Sequence, residues 1–118
     1  MVNLERKVLL SAMQGAKNVF PNEFIALFQK TEKGHMLIIP PFSEYGATFS
    51  SFDQWALPPM NIIGSFHSHP SGNGEPSQQD LLFFSKTADF NIVAFPPFSL
   101  TSFKAFSSEG KKIRVKII

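Results

Sequence analysis

The residues of this chain that could carry out chemistry are concentrated in one turn-rich segment, Ser65–Asp80, with the sequence SFHSHPSGNGEPSQQD. His67 and His69 are two residues apart, so on an extended strand both imidazoles lie on the same face. The ten residues between His69 and Asp80 include two glycines and two prolines, which allow the chain to fold back. Two imidazoles and one carboxylate, with no fourth protein ligand, are typical of a catalytic zinc site in which water fills the open position.

The same residues also have a purely structural interpretation. A histidine at a strand end is usually a hydrogen-bonded polar group and not a metal ligand. The run from Ser77 to Asp80 is typical of a helix start, with Ser77 as N-cap and Asp80 in the first turn. The two patterns within one glycine-rich loop favour a site over coincidence, and a capped helix start is a rigid place to mount a ligand.

Composition limits the possible classes of protein. A chain of 118 residues that is 43% apolar suits a single domain, residues 1–118, and the 14 phenylalanines predict a phenylalanine-rich core. The absence of cysteine excludes thiol catalysis, disulfides and cysteine-ligated zinc. A net charge of +2 is too small to indicate a nucleic-acid partner, and no apolar run approaches the roughly 18 residues of a membrane helix. We therefore expect a cytoplasmic protein that binds neither nucleic acid nor membrane.

Hydrophobic periodicity predicts an α/β (α+β) domain in which helices flank a mixed sheet. Asn3 is expected to cap the first helix, and Leu81, Leu82 and Phe84 are expected to face inward from the second. The predicted elements are a helix over 3–18, strands over 24–28 and 35–39, an irregular stretch over 42–59, a strand over 62–66, a helix over 77–87, a strand over 91–95 and a final hairpin of 100–106 with 111–118.

A zinc hydrolase also needs a general base that takes a proton from water and returns it to the leaving amine. Glu23 alone among the glutamates stands at the mouth of a predicted buried strand, where a partly desolvated carboxylate has a raised pKa. Its alternative role is a solvated residue at a strand entry. The other glutamates lie on a helix surface, in turns or in loops, at positions 5, 32, 44, 75 and 109. Physical reasoning from the residues supports the two roles of Glu23 equally.

The run HSHP at 67–70, followed by Ser77 and Asp80, resembles the H-S/T-H-P…S-x-x-D signature of the JAMM/MPN zinc metalloproteases. That family also has a glutamate in a P-x-E-x-x-G-x-L setting before its first strand, which residues 21–28 match with Glu23. Ala26 stands where glycine is usual. The chain is thus similar to a minimal single-domain member of archaeal or bacterial type, and the curved, cytidine-deaminase-like sheet of the family agrees with the predicted order of elements.

The resemblance implies a site and a reaction. His67, His69 and Asp80 would bind one Zn²⁺, Glu23 would deprotonate the zinc-bound water, and Ser77 would hydrogen-bond the oxyanion of the tetrahedral intermediate. The implied reaction is hydrolysis of the amide bond after the C-terminal tail of a ubiquitin-like or sulfur-carrier protein. Strand addition beside the residues preceding the HSHP turn, with 42–59 as the other wall, is the expected way to hold that tail.

Three alternatives remain. Within the family, the enzyme could remove residues from the C-terminus of a sulfur-carrier protein. Outside it, the chain could be a catalytically silent protein-interaction module. Two histidines and a carboxylate also suit non-haem iron, although Glu23 and Ser77 would then have no role. The oligomeric state is left open by the sequence.

Overall fold

The computed structural model describes residues 2–32, 34–38, 62–87 and 89–118. Within these ranges neither helix is long and apolar enough to cross a lipid bilayer. The helices and strands are, in chain order, β1 (Val2–Leu4), α1 (Arg6–Val19), β2 (Ile25–Thr31), β3 (Gly34–Ile38), β4 (Ile62–Ser68), α2 (Gln78–Thr87), β5 (Phe90–Ala94), β6 (Phe103–Ser107), β7 (Lys112–Ile113) and β8 (Val115–Ile117).

A six-stranded mixed sheet in the order β3-β2-β4-β5-β6-β7 supports the fold, which confirms the predicted α+β class. β4 is antiparallel to β2 and parallel to β5, and the β4–β5 connection contains α2, as a parallel pair requires a crossover. In the register of these three strands Ile25 lies opposite His67, and Ser68 lies opposite Ala94. The start of β2 and the ends of β4 and β5 therefore lie side by side at the same end of the sheet.

The two faces of the sheet pack against different helices. On one face, α1 packs its buried apolar side chains against the phenylalanines of the strands, and Phe28 stacks on Phe90 at 5.7 Å between ring centroids. On the other face, Phe84 of α2 packs with Leu27, Val93 and Phe106. This alternation follows from the period of two along each strand. The predicted phenylalanine-rich core is confirmed.

The predicted start of the first helix is wrong. Asn3 does not cap a helix but lies in β1, and α1 begins at Arg6 after Glu5, whose side chain makes no capping hydrogen bond. The reason is a parallel pairing of β1 with β8, which places Asn3 opposite Lys116. A partner at the other end of the chain is not visible in local periodicity.

The predicted C-terminal hairpin is half correct. β6 turns through residues 107–110 into β7, with Ala105 opposite Ile113. The last strand then divides, because β8 leaves the large sheet to pair with β1. Along 112–117, half-buried apolar residues alternate with exposed basic residues. Pairing with β1 makes use of the same apolar face.

The inward face of α2 also differs from the prediction. Phe84 is fully buried, but Leu81 and Leu82 are 39% and 57% exposed. Asp80 and Phe84 are four residues apart and share one face of a helix, whereas Leu81 and Leu82 are turned away by roughly 100° and 200°. The helix is therefore oriented by the need to direct Asp80 and Phe84 toward the sheet.

Candidate functional site

The end of β4 brings the two predicted histidines to the end of the sheet where the start of β2 lies beside the ends of β4 and β5. His67 lies within the sheet between Ile25 and Val93, and its ring packs edge-on against Phe84 at 5.5 Å. His69 continues the extended chain, because its backbone N–H donates to the Ala94 carbonyl at 2.8 Å. Both side chains contact Asp80, as expected for residues two apart on a strand.

The first turn of α2 fixes Asp80 by a reciprocal capping arrangement. The Asp80 N–H donates to Ser77 Oγ at 3.1 Å, and the Ser77 N–H donates to Asp80 Oδ2 at 2.9 Å. This is a capping box with aspartate in its third position, so the predicted N-cap role of Ser77 is confirmed. Asp80 Oδ2 also lies 2.9 Å from His69 Nε2, and Asp80 Oδ1 lies 3.8 Å from His67 Nδ1.

The loop between the histidines and α2 depends on its glycines. A β-carbon at Gly72 would lie 2.9 Å from the His69 β-carbon, so the loop passes over His69 only because position 72 lacks a side chain. Gly74 has φ +85°, and a β-carbon there would lie 2.8 Å from the Phe95 ring. An ion pair between Glu75 and Lys104, at 2.5 Å, ties the exposed part of the loop to β6.

Burial and charge set the protonation of the three predicted ligands in the metal-free protein. Burial lowers the pKa of His67 to about 4, and attraction to Asp80 offsets this only in part. Burial alone would raise the pKa of Asp80, but the hydrogen bond with His69, the charge of His67 and the Ser77 N–H together lower it to about 2. The hydrogen bond with Asp80 raises the pKa of His69. At neutral pH His67 is therefore a neutral imidazole and Asp80 a carboxylate.

Glu23 lies at the same end of the sheet, immediately before the buried Phe24. Its side chain is exposed. Partial desolvation nevertheless raises its pKa, attraction to His69 opposes this increase, and repulsion from Asp80 adds to it. These interactions place Glu23 close enough to His69 and Asp80 for their charges to change its proton affinity. His67, His69 and Asp80 are therefore in contact, and Glu23 lies within electrostatic range of His69 and Asp80.

The remaining glutamates in the described ranges have other surroundings. Glu5 accepts a hydrogen bond from the His35 backbone N–H at 2.8 Å, and its own N–H donates to His35 Nδ1 at 3.4 Å. Glu32 and Glu109 are exposed near turns, and Glu75 pairs with Lys104. Glu44 lies outside the described residues. Sequence reasoning missed the Glu5–His35 contact because 30 residues separate the partners.

The donor set fits zinc, although no three His, Asp or Glu side chains in the described ranges are already arranged to hold an ion. Two imidazoles and one carboxylate with an open position are a catalytic zinc set, and bonds of about 2.0–2.1 Å in tetrahedral geometry imply about 3.3 Å between ligand atoms. The separations from Asp80 to His69 and to His67, 2.9 and 3.8 Å, lie on either side of that value. The two contacts use different oxygens of Asp80, so metal binding would require these side chains to rearrange and the His69–Asp80 hydrogen bond to open.

The expected place of strand addition needs correction. β4 is paired with β2 on one side and with β5 on the other, so the residues before the HSHP turn have no free sheet edge. A substrate strand cannot add to them. The other expected wall, Phe42–Pro59, lies outside the described residues. Ala26, which stands in the usual place of glycine, is fully buried in the core.

The buried His67 leads to a pH prediction for the metal-free protein. The unfolded chain takes up a proton at His67 near pH 6.5, whereas the folded protein resists protonation down to about pH 4. Stability should therefore fall as the pH is lowered from about 6.5 to about 4, by about 3 kcal/mol relative to a His67→Gln variant. Urea denaturation of both proteins across this range is the measurement.

The comparison with the variant is needed because His69 has the opposite effect. Its raised pKa adds stability at low pH and removes it as the pH rises. Since His69 is present in both proteins, its contribution largely cancels in the difference. Parallel stability curves for the wild type and His67→Gln between pH 4 and 7 would contradict a buried, neutral His67.

Comparison with known proteins identifies the fold and the family. The family described as prokaryotic homologs of the JAB domain matches residues 5–109. A solved structure described as a JAMM metalloprotease-like zinc site in the proteasome and signalosome is 25% identical, with a TM-score of 0.78, over 100% of this chain and 98% of the other. A JAB1/MPN domain protein from Archaeoglobus fulgidus is 28% identical, with a TM-score of 0.77, over 100% and 99%. A search of functionally curated proteins found no match. With the family match covering most of its length, this chain belongs to the prokaryotic homologs of the JAB domain.

Proposed function

We propose that this protein is a zinc-dependent metallopeptidase or isopeptidase that hydrolyses the amide bond after the C-terminal tail of a ubiquitin-like or sulfur-carrier protein. The observation that carries the proposal is the convergence on Asp80. Its carboxylate contacts both His67 and His69, while Glu23 is close enough for Asp80 and His69 to affect its pKa. The family match and the zinc site described for a similar structure support the same class of chemistry.

His67, His69 and Asp80 are the residues that would hold one Zn²⁺. When bound in such a site, zinc lowers the pKa of a coordinated water from about 15.7 to about 7 and supplies a nucleophile at neutral pH. Neutral imidazole and ionised carboxylate are the protonation states that metal binding requires. His67 and Asp80 have these states in the metal-free protein at pH 7.

Glu23 is the proposed general base and, later in the reaction, the general acid. A carboxylate with a raised pKa holds a proton more readily than an ordinary surface glutamate, which suits a group that accepts a proton from water and then delivers it to the leaving amine. The exposed position of Glu23 leaves it accessible to water and to the substrate.

Ser77 is the proposed hydrogen-bond donor to the oxyanion that forms at the scissile carbonyl. In the capping box its oxygen accepts the Asp80 N–H, which uses a lone pair and leaves the hydroxyl proton for donation. The side chain is exposed beside Asp80 at the N-terminus of α2, where backbone dipoles also favour negative charge.

Ser77→Ala should lower kcat by about 10²–10³-fold, the usual cost of removing one oxyanion donor. It should also cost about 1 kcal/mol of stability, because the cap is lost. Ser77→Thr is the matched control, since it keeps a hydroxyl for both roles, and it should retain most of the activity. Steady-state kinetics and thermal unfolding of the two variants separate the effects. A Ser77→Ala protein that loses stability alone would restrict Ser77 to capping.

The proposal is tested on a small panel of substrates with the metal-free and the zinc-reconstituted protein. The panel contains a ubiquitin-like protein joined to a lysine by an isopeptide bond, a linear fusion after the same tail, and a sulfur-carrier protein with extra C-terminal residues. We expect zinc-dependent cleavage directly after the tail of at least one substrate, with Glu23→Gln as the inactive control. A protein that binds zinc but cleaves no member of the panel would favour the catalytically silent interaction module instead.

A further inference from the structure

The last hydrogen-bonded pair between the β2 and β4 segments, Phe24 and Ser68, has a side chain as one of its acceptors. The Ser68 N–H donates to the Phe24 carbonyl at 2.9 Å, as expected for the antiparallel pair that follows Ile25 and His67. In a hydrogen-bonded antiparallel pair the second bond runs between backbone groups. Here the Phe24 N–H donates instead to Ser68 Oγ, at 2.7 Å. The serine hydroxyl thus replaces a backbone carbonyl as the acceptor.

This side-chain hydrogen bond lies where the end of β4 separates from β2, at the point where the candidate site begins. Beyond Ser68 the backbone follows β5, because the His69 N–H donates to the Ala94 carbonyl. Hydrogen bonding between the two chain segments therefore ends at Phe24, the residue that follows Glu23. Phe24 and Ser68 are each only 1% exposed, so the Phe24 N–H depends on a protein acceptor and not on solvent.

We infer that Ser68 is a positioning residue for the proposed hydrolysis, holding Glu23 at a fixed place relative to the histidines. Ser68 forms hydrogen bonds with both the N–H and the carbonyl of Phe24, the residue bonded directly to Glu23. Ser68 itself is covalently joined to His67 and His69, so the proposed base and two proposed ligands form one connected unit. This inference rests on the proposed function, in which Ser68 acts through the backbone next to Glu23.

Loss of the hydroxyl should affect catalysis more than substrate binding. With no acceptor at position 68, the buried Phe24 N–H is left without its partner and the backbone at Glu23 is free to shift. A displacement of about 1 Å in a catalytic group can cost about 10²-fold in rate. We therefore expect Ser68→Ala to lower kcat by about 10²-fold with little change in KM, while one zinc ion per chain is retained.

The control comes from the same strand. Ser65 is also buried, and its hydroxyl bonds to Asn91 Oδ1 of β5 and not to the segment that carries Glu23. Ser65→Ala removes a hydroxyl of the same kind from β4 and should leave kcat near the wild-type value. Ser68→Thr keeps the hydroxyl and should restore kcat. Ser68→Val has the shape of threonine without its hydroxyl, so it keeps the test valid if Ser68→Ala fails to fold.

A second readout does not depend on activity. Amide hydrogen exchange in the metal-free protein should show faster exchange of the Phe24 N–H in Ser68→Ala and Ser68→Val, and wild-type protection in Ser68→Thr and Ser65→Ala. A kcat within about twofold of wild type in Ser68→Ala, or an equal loss in Ser65→Ala, would overturn the inference. If the wild type hydrolyses nothing, the proposed function fails by itself. Unchanged Phe24 protection in Ser68→Ala would then independently defeat the positioning role.

Discussion

Glu23→Gln should lower the rate of hydrolysis by about 10²–10⁴-fold, the usual contribution of a positioned general base. The amide has nearly the same shape as the carboxylate but cannot accept the proton from water. Glu23 lies outside the group formed by His67, His69 and Asp80, so the variant should still bind one zinc ion. The defect should therefore lie in kcat, and single-turnover kinetics together with metal analysis would measure it.

The matched control is Glu75→Gln. Glu75 lies in the loop between the proposed ligands, but its carboxylate is exposed and pairs with Lys104. Its substitution should leave the rate close to that of the wild type. Near-normal activity in Glu23→Gln, or loss of zinc from it, would remove Glu23 from the role of base.

His69→Ala should abolish both zinc binding and hydrolysis. Two protein ligands rarely suffice for a stable zinc site, and His69 is also the hydrogen-bond partner of Asp80 in the metal-free protein. Loss of a residue that merely supports a ligand costs about 10–100-fold in metal affinity, so removal of a ligand itself should cost more. Competition with a chelator of known affinity measures the loss, and hydrolysis is followed in parallel.

The control for this variant is His35→Ala. His35 accepts a hydrogen bond from the Glu5 N–H. It pairs with Lys30 near the end of β2, whereas the candidate site lies at the start of β2. The variant should retain zinc and activity. If the zinc content of His69→Ala equals that of the wild type, the proposed ligand set is wrong.

Short-range patterns were sufficient to predict most of the candidate site. Two histidines on one strand face and a serine capping the helix of Asp80 both follow from spacings of two and three residues. Local patterns do not establish the position of Glu23, because its neighbourhood depends on which strands meet at this end of the sheet. In the structure the charges of His69 and Asp80 act on Glu23, a long-range relation that periodicity does not encode.

The errors have the same physical origin. β1 pairs with β8 from the other end of the chain. Because of this pairing, the predicted helix start at Asn3 is wrong and the predicted final hairpin is only half correct. The bond between Phe24 and Ser68 spans 44 residues and likewise has no local signal. The sequence predicts that Leu81 and Leu82 face inward, whereas the direction of α2 follows the side chains of Asp80 and Phe84.

The most direct test of the account is an anomalous difference map at the zinc absorption edge, from crystals of the protein reconstituted with zinc. The account predicts one strong peak per chain, bonded to His67, His69 and Asp80 at about 2.0–2.2 Å, with the hydrogen bond between His69 and Asp80 opened. Glu23 should approach the open position without bonding to the metal. A zinc peak held by other residues, or no peak in protein that is fully folded, would contradict the proposed centre.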